Sequence, residues 1–225
     1  MLKKWDDIPE FMRCDEVREY YDILSGKRIQ LAIKRTMDIV LAVTLIIVLL
    51  IPMLVISAMI KIDSPGKVLF RQERVTAYGK RFYIHKFRTM VTNANNNGTS
   101  VTVCHDARIT KVGAKLRNRR LDELPQLMDV LVGNMTFVGT RAEVPQYVDK
   151  YTREMCATLL LPAGVTSEAS ICFKDESELL TEADEADTVY IDRILPEKMR
   201  INLDSLRRFS LISDIRTLVR TITSV

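Results

Sequence analysis

The chain has 225 residues, 47 % of them hydrophobic, and a net charge of +4. One domain is the expectation at that length, and four widely spaced cysteines (Cys14, Cys104, Cys156, Cys172) exclude a paired-cysteine metal site and read as reduced thiols in a cytoplasmic setting. Charge is segregated: basic residues dominate from Lys61 to Arg120, as suits an anionic membrane surface or a nucleotide phosphate, and acidic residues take over from Asp175 to Asp192 as a solvated face.

In chain order, residues 10 to 33 read as an amphipathic interfacial segment. Phe11, Val17, Tyr20, Tyr21, Ile23 and Leu24 lie among charges, and Gly26 breaks the pattern. Residues 1–33 form an N-terminal segment and 34–62 a membrane segment. Ile39 to Ile60 is almost wholly apolar and, at about 20 residues, is long enough to span a bilayer. It starts too late and runs too long to be a signal peptide. Lys34 and Arg35 precede it, and Lys61, Lys67, Arg71, Arg74, Lys80 and Arg81 follow. The positive-inside rule places both flanks on the cytoplasmic side. Pro52 frees the carbonyl of Val48 and kinks the helix, and Ser57 is placed to help satisfy the freed backbone. A re-entrant helix, broken at Pro52, fits charge and proline together. An ordinary kinked spanning helix fits the proline alone, and both stand at this point.

Residues 63–225 follow as a cytoplasmic or interfacial domain, long enough to bury a core. Asp63-Ser-Pro-Gly66 is a turn signal. Val68–Gln72 and Lys80–Phe87 read as short strands around a Tyr78-Gly79 turn. Thr92 to Ser100 reads as a loop. Val112 to Arg120 reads as helix. The next helix starts at Asp122, with Pro125 in its first turn and Leu124, Leu127, Met128 and Leu131 as its apolar side, and ends near Gly133. Val144 to Leu160 reads as helix, Pro162-Ala-Gly164 as a break, and Leu195 to Ile222 as a helical stretch. Its Arg207, Arg208, Arg216 and Arg220 are placed to face lipid headgroups. His85 and His105 are isolated and read as core or surface histidines. The fold class is therefore α/β, mostly helical: a small cytoplasmic domain on a proline-broken re-entrant membrane helix, with amphipathic interfacial helices.

The chemistry centres on Asp122 and Glu123, adjacent carboxylates after Arg117, Arg119 and Arg120. At the positive end of a helix, carboxylates stay ionised and phosphates bind, so an anionic substrate and a metal ion could meet there. An N-cap Asp with a first-turn Glu fits the same spacing.

The chain resembles the small monotopic phosphoglycosyl transferases of the bacterial sugar transferase family. The resemblance runs from about Lys34 to the C-terminus. Its carriers are Lys34-Arg-Thr-Met-Asp38, the proline-interrupted apolar run, Asp63-Ser-Pro-Gly66, Phe70-Arg-Gln-Glu-Arg74, Lys86-Phe-Arg-Thr-Met90 and Asp106-Ala-Arg-Ile-Thr110 with Val112-Gly113. Leu121-Asp-Glu-Leu-Pro-Gln-Leu127, Gly133-Asn-Met135 and Val138-Gly139 complete it. Any one match is weak; the ordered set is specific.

The resemblance implies transfer of a sugar 1-phosphate from a nucleotide diphosphate sugar, with UDP expected, to a polyprenyl phosphate, with undecaprenyl phosphate expected. It implies a covalent phosphosugar on Asp122 and Mg²⁺ held by Glu123 and Asp122. Arg117 and Arg141 match the family's phosphate-binding arginines, and Arg88 and Lys174 are carried with them. Lys34, Arg35 and Pro52 are the membrane residues. The implied partners are the donor, the lipid acceptor, the membrane and a second copy in a homodimer, with no nucleic acid. The implied location is the cytoplasmic face of a bacterial inner membrane, at the first membrane step of glycan assembly. There are departures. Gly139-Thr-Arg-Ala142 stands where the family has Gly-Pro-Arg-Pro, and Ala163-Gly-Val-Thr-Ser-Glu-Ala-Ser170 where it has Pro-Gly-Ile-Thr-Gly-x-Ala-Gln. Phe173-Lys174-Asp175 stands where it has Gly-Arg-Asn. Lys174 supplies a charge without a bidentate fork. A non-catalytic membrane tether and an inactive relative are the alternatives.

Overall fold

A computed structural model of the chain describes residues 1–91, 108–174 and 186–224. The Thr92–Ser100 loop, His105, Cys104 and most of the acidic stretch lie outside the described residues. Helix α1 is Asp15–Ser25 and α2 is Arg28–Asp63. Strands β1 (Leu69–Val75) and β2 (Arg81–Phe87) follow, then α3 (Lys111–Asn118), α4 (Gln126–Val132) and β3 (Met135–Val138). The chain continues through α5 (Pro145–Val148), β4 (Ala163–Thr166), α6 (Glu168–Cys172) and α7 (Ala186–Val189). A π-helical turn, Tyr190–Ile194, leads into α8 (Leu195–Arg207), and α9 is Leu211–Ser224. The architecture is mostly helical α/β.

Helix α2 organises the molecule. It is 36 residues of helix with Pro52 inside, about 54 Å at the usual rise, and is long and apolar enough to cross a membrane. The expected break at Pro52 is not an interruption, and Ser57 Oγ donates to Met53 O (2.7 Å) rather than serving the Val48 carbonyl. Helical spacing puts Ala42, Leu45, Leu49, Met53, Ile56 and Ile60 on one stripe, and that stripe packs on the globular body. Ala42 shares a core cluster with Phe82, Leu127, Val130 and Met135, and Ile56 and Ile60 share another with Phe87 and Leu116. The opposite face, with Val40, Ile47, Val48, Ile51, Leu54 and Ile62, is exposed and apolar. Polar groups lock the N-terminal half. Lys34 Nζ donates to Val138 O (2.8 Å) and Asp214 (2.6 Å), and Asp38 accepts from Thr136 Oγ1 (2.6 Å) and Phe137 N (3.2 Å). Arg35 donates to Val130 O and Leu131 O at the end of α4. Lys34 and Arg35 thus turn into the body, because β3 and α4 offer carbonyls that only inward cations reach.

The N-terminal segment differs from the expectation of an interfacial element. Val17, Tyr20, Tyr21 and Leu24 of α1 are buried against Cys156–Leu161, Leu203, Leu206 and Phe209, so its apolar face completes a core. Arg207 stacks on the Tyr20 ring (4.9 Å) and pairs with Glu19 and Glu154, which ties it to α1 rather than to headgroups.

Strands β1 and β2 form the expected antiparallel hairpin, in register from Leu69↔Phe87 to Val75↔Arg81, with Tyr78 (φ 60°) and Gly79 (φ 73°) in its turn. The parallel pair β3–β4 (Met135↔Ala163, Val138↔Thr166) was not expected. Gly139 and Gly164 nearly touch behind it: a Cβ on Gly164 would lie 2.1 Å from Gly139 O. Two helix expectations also change. Val144–Leu160 is α5, a turn and a 3₁₀ helix over Met155–Leu160, because Thr152 Oγ1 receives Met155 N and starts a new element. Leu195–Ile222 divides at Arg208–Ser210, where Phe209 is buried and Ser210 Oγ receives Ser213 N. Ile212, Ile215, Val219 and Ile222 leave an exposed apolar stripe on α9.

Candidate active site

The Asp-Glu pair does not open a helix as expected. After α3, Arg120 adopts a left-handed conformation (φ 54°) and turns the chain into a 3₁₀ turn, Leu121–Glu123. Helix α4 begins three residues later, with Pro125 at its N-cap, where no N–H is missed. Met128 is exposed while Leu127 is buried. Left-handed backbone is costly for a residue with a side chain, and here it swings both carboxylates back toward β2.

Asp122 is buried at 8 % exposure. Burial raises its carboxyl above the ordinary range, as does Glu123, while Lys86 and Arg117 pull it down. Glu123 differs. Burial works against its charge, but Arg141 and Lys86 outweigh it and hold the carboxyl well below the usual range. Both donate to Glu123 Oε1, Lys86 Nζ at 2.7 Å and Arg141 Nη2 at 2.9 Å. Burial lowers the Lys86 ammonium, countered by Glu123. The two neighbours are therefore unequal: one carboxylate is neutralised by two cations, and the other carries a charge that its surroundings disfavour.

Arg117 and Arg141 are brought to the pair. Arg117 Nε donates to Thr89 Oγ1 (2.8 Å), and its charge acts on Asp122. Lys174 is exposed, and its carbonyl receives Arg120 Nη2 (3.2 Å), so it borders the turn that carries the pair. Arg88 is engaged at the end of α2. Its guanidinium donates to Pro65 O (2.6 Å), Ser64 O (2.7 Å) and Ser64 Oγ (2.9 Å) at the end of α2. These bonds are structural: they close the Asp63-Ser-Pro-Gly turn, whose Asp63 also caps α3 through Val112 N (3.2 Å). Lys34, Arg35 and Pro52 belong to α2.

Two site residues were missed. Lys86 shares the inward face of β2 with Phe82 and Ile84, and a lysine at that period was the available signal. Half-buried Arg74 donates to Ala142 O (2.9 Å), next to Arg141, and to Gln72 Oε1. Nothing local in the sequence pairs Arg74 with residue 142. Among the described residues no group of three or more carboxylate, histidine or cysteine side chains could hold a metal.

The model of the family described as bacterial sugar transferase matches residues 29–225. A UDP-N-acetylgalactosamine-undecaprenyl-phosphate N-acetylgalactosaminephosphotransferase of Aeromonas hydrophila is 42 % identical over 123 residues, 55 % of this chain and 29 % of that protein. UDP-glucose:undecaprenyl-phosphate glucose-1-phosphate transferases of Xanthomonas campestris pv. campestris and Escherichia coli (strain K12) are 34 % and 33 % identical, each over 84 % of this chain and over 37 % and 39 % of their own lengths. The chain thus spans less than two fifths of these three relatives.

Proposed function

Because the chain belongs to the bacterial sugar transferase family, we propose that it transfers a sugar 1-phosphate from a nucleotide diphosphate sugar to a polyprenyl phosphate, with Asp122 as the nucleophile. The observation that carries this is the unequal pair: a buried carboxylate of raised basicity beside a Glu123 that two cations keep ionised. An oxygen of Asp122 attacks the phosphorus bonded to the sugar, that P–O bond forms, and the bond to the nucleoside monophosphate breaks. An oxygen of the lipid phosphate then attacks the same phosphorus and the aspartyl bond breaks. No net proton transfer is required. The chain's task is to hold charge on phosphoryl oxygens, which suits Lys86, Arg117 and Arg141. Lys174 sits at the rim as a further phosphate contact.

Mg²⁺ fits the donor set, since it binds through one or two carboxylates completed by water and substrate phosphates, and Asp122 and Glu123 would hold it and add positive charge on the diphosphate. The relatives' names support a UDP-linked donor and undecaprenyl phosphate. They differ in the sugar, glucose or N-acetylgalactosamine.

The re-entrant membrane placement of α2 belongs to the same proposal. A helix crossing about 30 Å of hydrocarbon would separate its two ends by the bilayer. The Lys34–Asp38 anchors and the Ile56–Ile60 contacts are instead made with one body, and the opposite apolar face remains for lipid. The enzyme would then act on the cytoplasmic face of the inner membrane, at the first membrane step of glycan assembly.

Incubation with UDP-glucose or UDP-N-acetylgalactosamine alone, followed by mass spectrometry, should find one phosphosugar on the peptide containing Asp122. Asp122→Asn should lose the adduct, nucleoside monophosphate release and turnover. A tether would keep all its properties in that variant. Wild-type turnover by Asp122→Asn, or an adduct mapped to another peptide, overturns the assignment.

A further inference from the structure

Behind Arg141 lies a second polar cluster that the reaction does not touch. Glu143, Tyr190 and Lys198 are buried at 4, 2 and 3 % exposure. Tyr190 Oη donates to Glu143 Oε1 (2.7 Å), and Lys198 Nζ donates to Tyr190 Oη (3.0 Å) and stands 3.8 Å from the same carboxylate oxygen. A buried charge pair stabilises weakly once its desolvation is counted, because well-packed apolar residues do as well or better. Its presence here asks for another explanation.

The neighbouring contacts supply one. Three consecutive residues are each fixed from outside their own segment. Arg141 bridges Gly164 on β4, and Gly164 N donates to Thr140 O (2.7 Å). The Ala142 carbonyl is held by Arg74 Nη1 (2.9 Å). The Glu143 carbonyl receives Val75 N (2.9 Å), while its side chain is held by Tyr190 and Lys198. Tyr190 is the first residue of a π-helical turn, a wide turn often found at functional sites. Its ring lies 4.6 Å from that of Tyr147. This segment is also where the chain has Thr140 and Ala142 flanking Arg141, without a proline. A backbone that its own residues do not stiffen is stiffened from outside.

We propose that Glu143, Tyr190 and Lys198 are positioning residues: they anchor the segment after β3 that carries Arg141, so that its guanidinium meets Glu123 and the donor's phosphates in fixed geometry. The inference rests on the phosphate role given to Arg141 above. The chain of contact runs from α8 through Tyr190 to residue 143, and from there over two peptide bonds to the arginine that reaches Glu123 at 2.9 Å. Misplacement of a charge-stabilising group by an ångström costs up to about a hundredfold in rate, so the effect should exceed that of a remote hydrogen bond.

A double-mutant cycle tests this in the full-length protein in lipid nanodiscs. Release of nucleoside monophosphate from UDP-glucose or UDP-N-acetylgalactosamine is measured in the presence of undecaprenyl phosphate, per folded molecule, with folding followed by thermal melting. Tyr190→Phe keeps the ring and removes the link, and Lys198→Met is a second, independent variant. Each should lower kcat/KM about ten- to a hundredfold. Combined with Arg141→Ala, Tyr190→Phe should add no further loss, because positioning has no object once the guanidinium is gone. Losses that multiply, or wild-type rates in both single variants, overturn the inference and leave the role of Arg141 standing. Wild-type rates in Arg141→Ala overturn that role and this inference with it.

Discussion

Lys86→Met probes the site most directly. Methionine is unbranched and of similar length, so it keeps the packing on the inner face of β2 and removes only the charge. Glu123 Oε1 then loses its 2.7 Å donor and keeps Arg141 at 2.9 Å. Orphaning a buried ion completely costs about 3–5 kcal/mol, which is an upper bound because Arg141 remains. Removing one charge-assisted bond costs about 1.5–3 kcal/mol. With side chains 16 % and 11 % exposed, the expected drop in stability is about 2–3 kcal/mol. Lys86 is also the largest attraction on Asp122, so Asp122, the proposed nucleophile, becomes less ionised as well. If the same energy is missing from the transition state, nucleoside monophosphate release from donor alone should fall about 30- to 160-fold. Thermal unfolding in nanodiscs and single-turnover release measure the two effects. Lys86→Met combined with Glu123→Gln should be less destabilised than the sum of the single variants, because neither charge is then left behind. Wild-type melting and release by Lys86→Met would refute the pairing and its consequence.

Asp122 gives a pH prediction of definite sign. Its folded carboxyl is raised, first by burial and then by Glu123, so the acid limb of nucleoside monophosphate release should lie above the ordinary aspartate value of about 3.9. The stability tied to that group is present below its unfolded value and is lost as pH rises through its folded one. Asp122→Asn should therefore melt higher than wild type at neutral pH and lose that advantage in acid; equal melting curves at both pH values contradict this. Arg88→Ala should cost about 1.5–3 kcal/mol of stability, since it removes charged hydrogen bonds to the Ser64 and Pro65 carbonyls at the end of α2, while the donor KM of the folded protein stays unchanged; a raised KM would make Arg88 a phosphate contact. Lys174→Ala should raise donor KM about fivefold, the effect of about 1 kcal/mol for an exposed charge, and an unchanged KM would make it a surface residue. Cysteines introduced near positions 30 and 66 should both be labelled from the cytoplasmic side, and a periplasmic label at position 30 would rule out the re-entrant placement.

Much of this was legible in the chain because local rules govern it. The hairpin showed in alternating strands around Tyr78-Gly79. Helix α3 and the end of α4 showed in apolar spacing and in Gly133, which adopts the left-handed cap (φ 95°). Adjacency alone brought Asp122 and Glu123 together, and the motif order added Arg117 and Arg141. What stayed hidden depends on distance along the chain. Strands β3 and β4 are four residues each, too short for a period, and they pair by a parallel ladder across the whole of residues 139–162. Lys34 and Arg35 look like a headgroup flank until the carbonyls of Val138, Val130 and Leu131 come into reach. Arg88 reads as a phosphate contact, and its bonds to the turn at Ser64 and Pro65 are not visible in the sequence. In each case a cation's role was set by acceptors far away along the chain.

The two-faced packing of α2 bears on how such an enzyme can be taken apart. An anchor that merely tethers can be cut off or exchanged for any apolar segment. Here the same helix supplies Leu31 and Ala42 to two separate cores and Asp38 to the backbone of β3. Trimming the chain at residue 63 to obtain a water-soluble fragment would open both cores and strand buried polar groups, and grafting a generic hydrophobic helix would restore greasiness without restoring the fit. For this fold, solubility in water and integrity of the catalytic unit are competing demands.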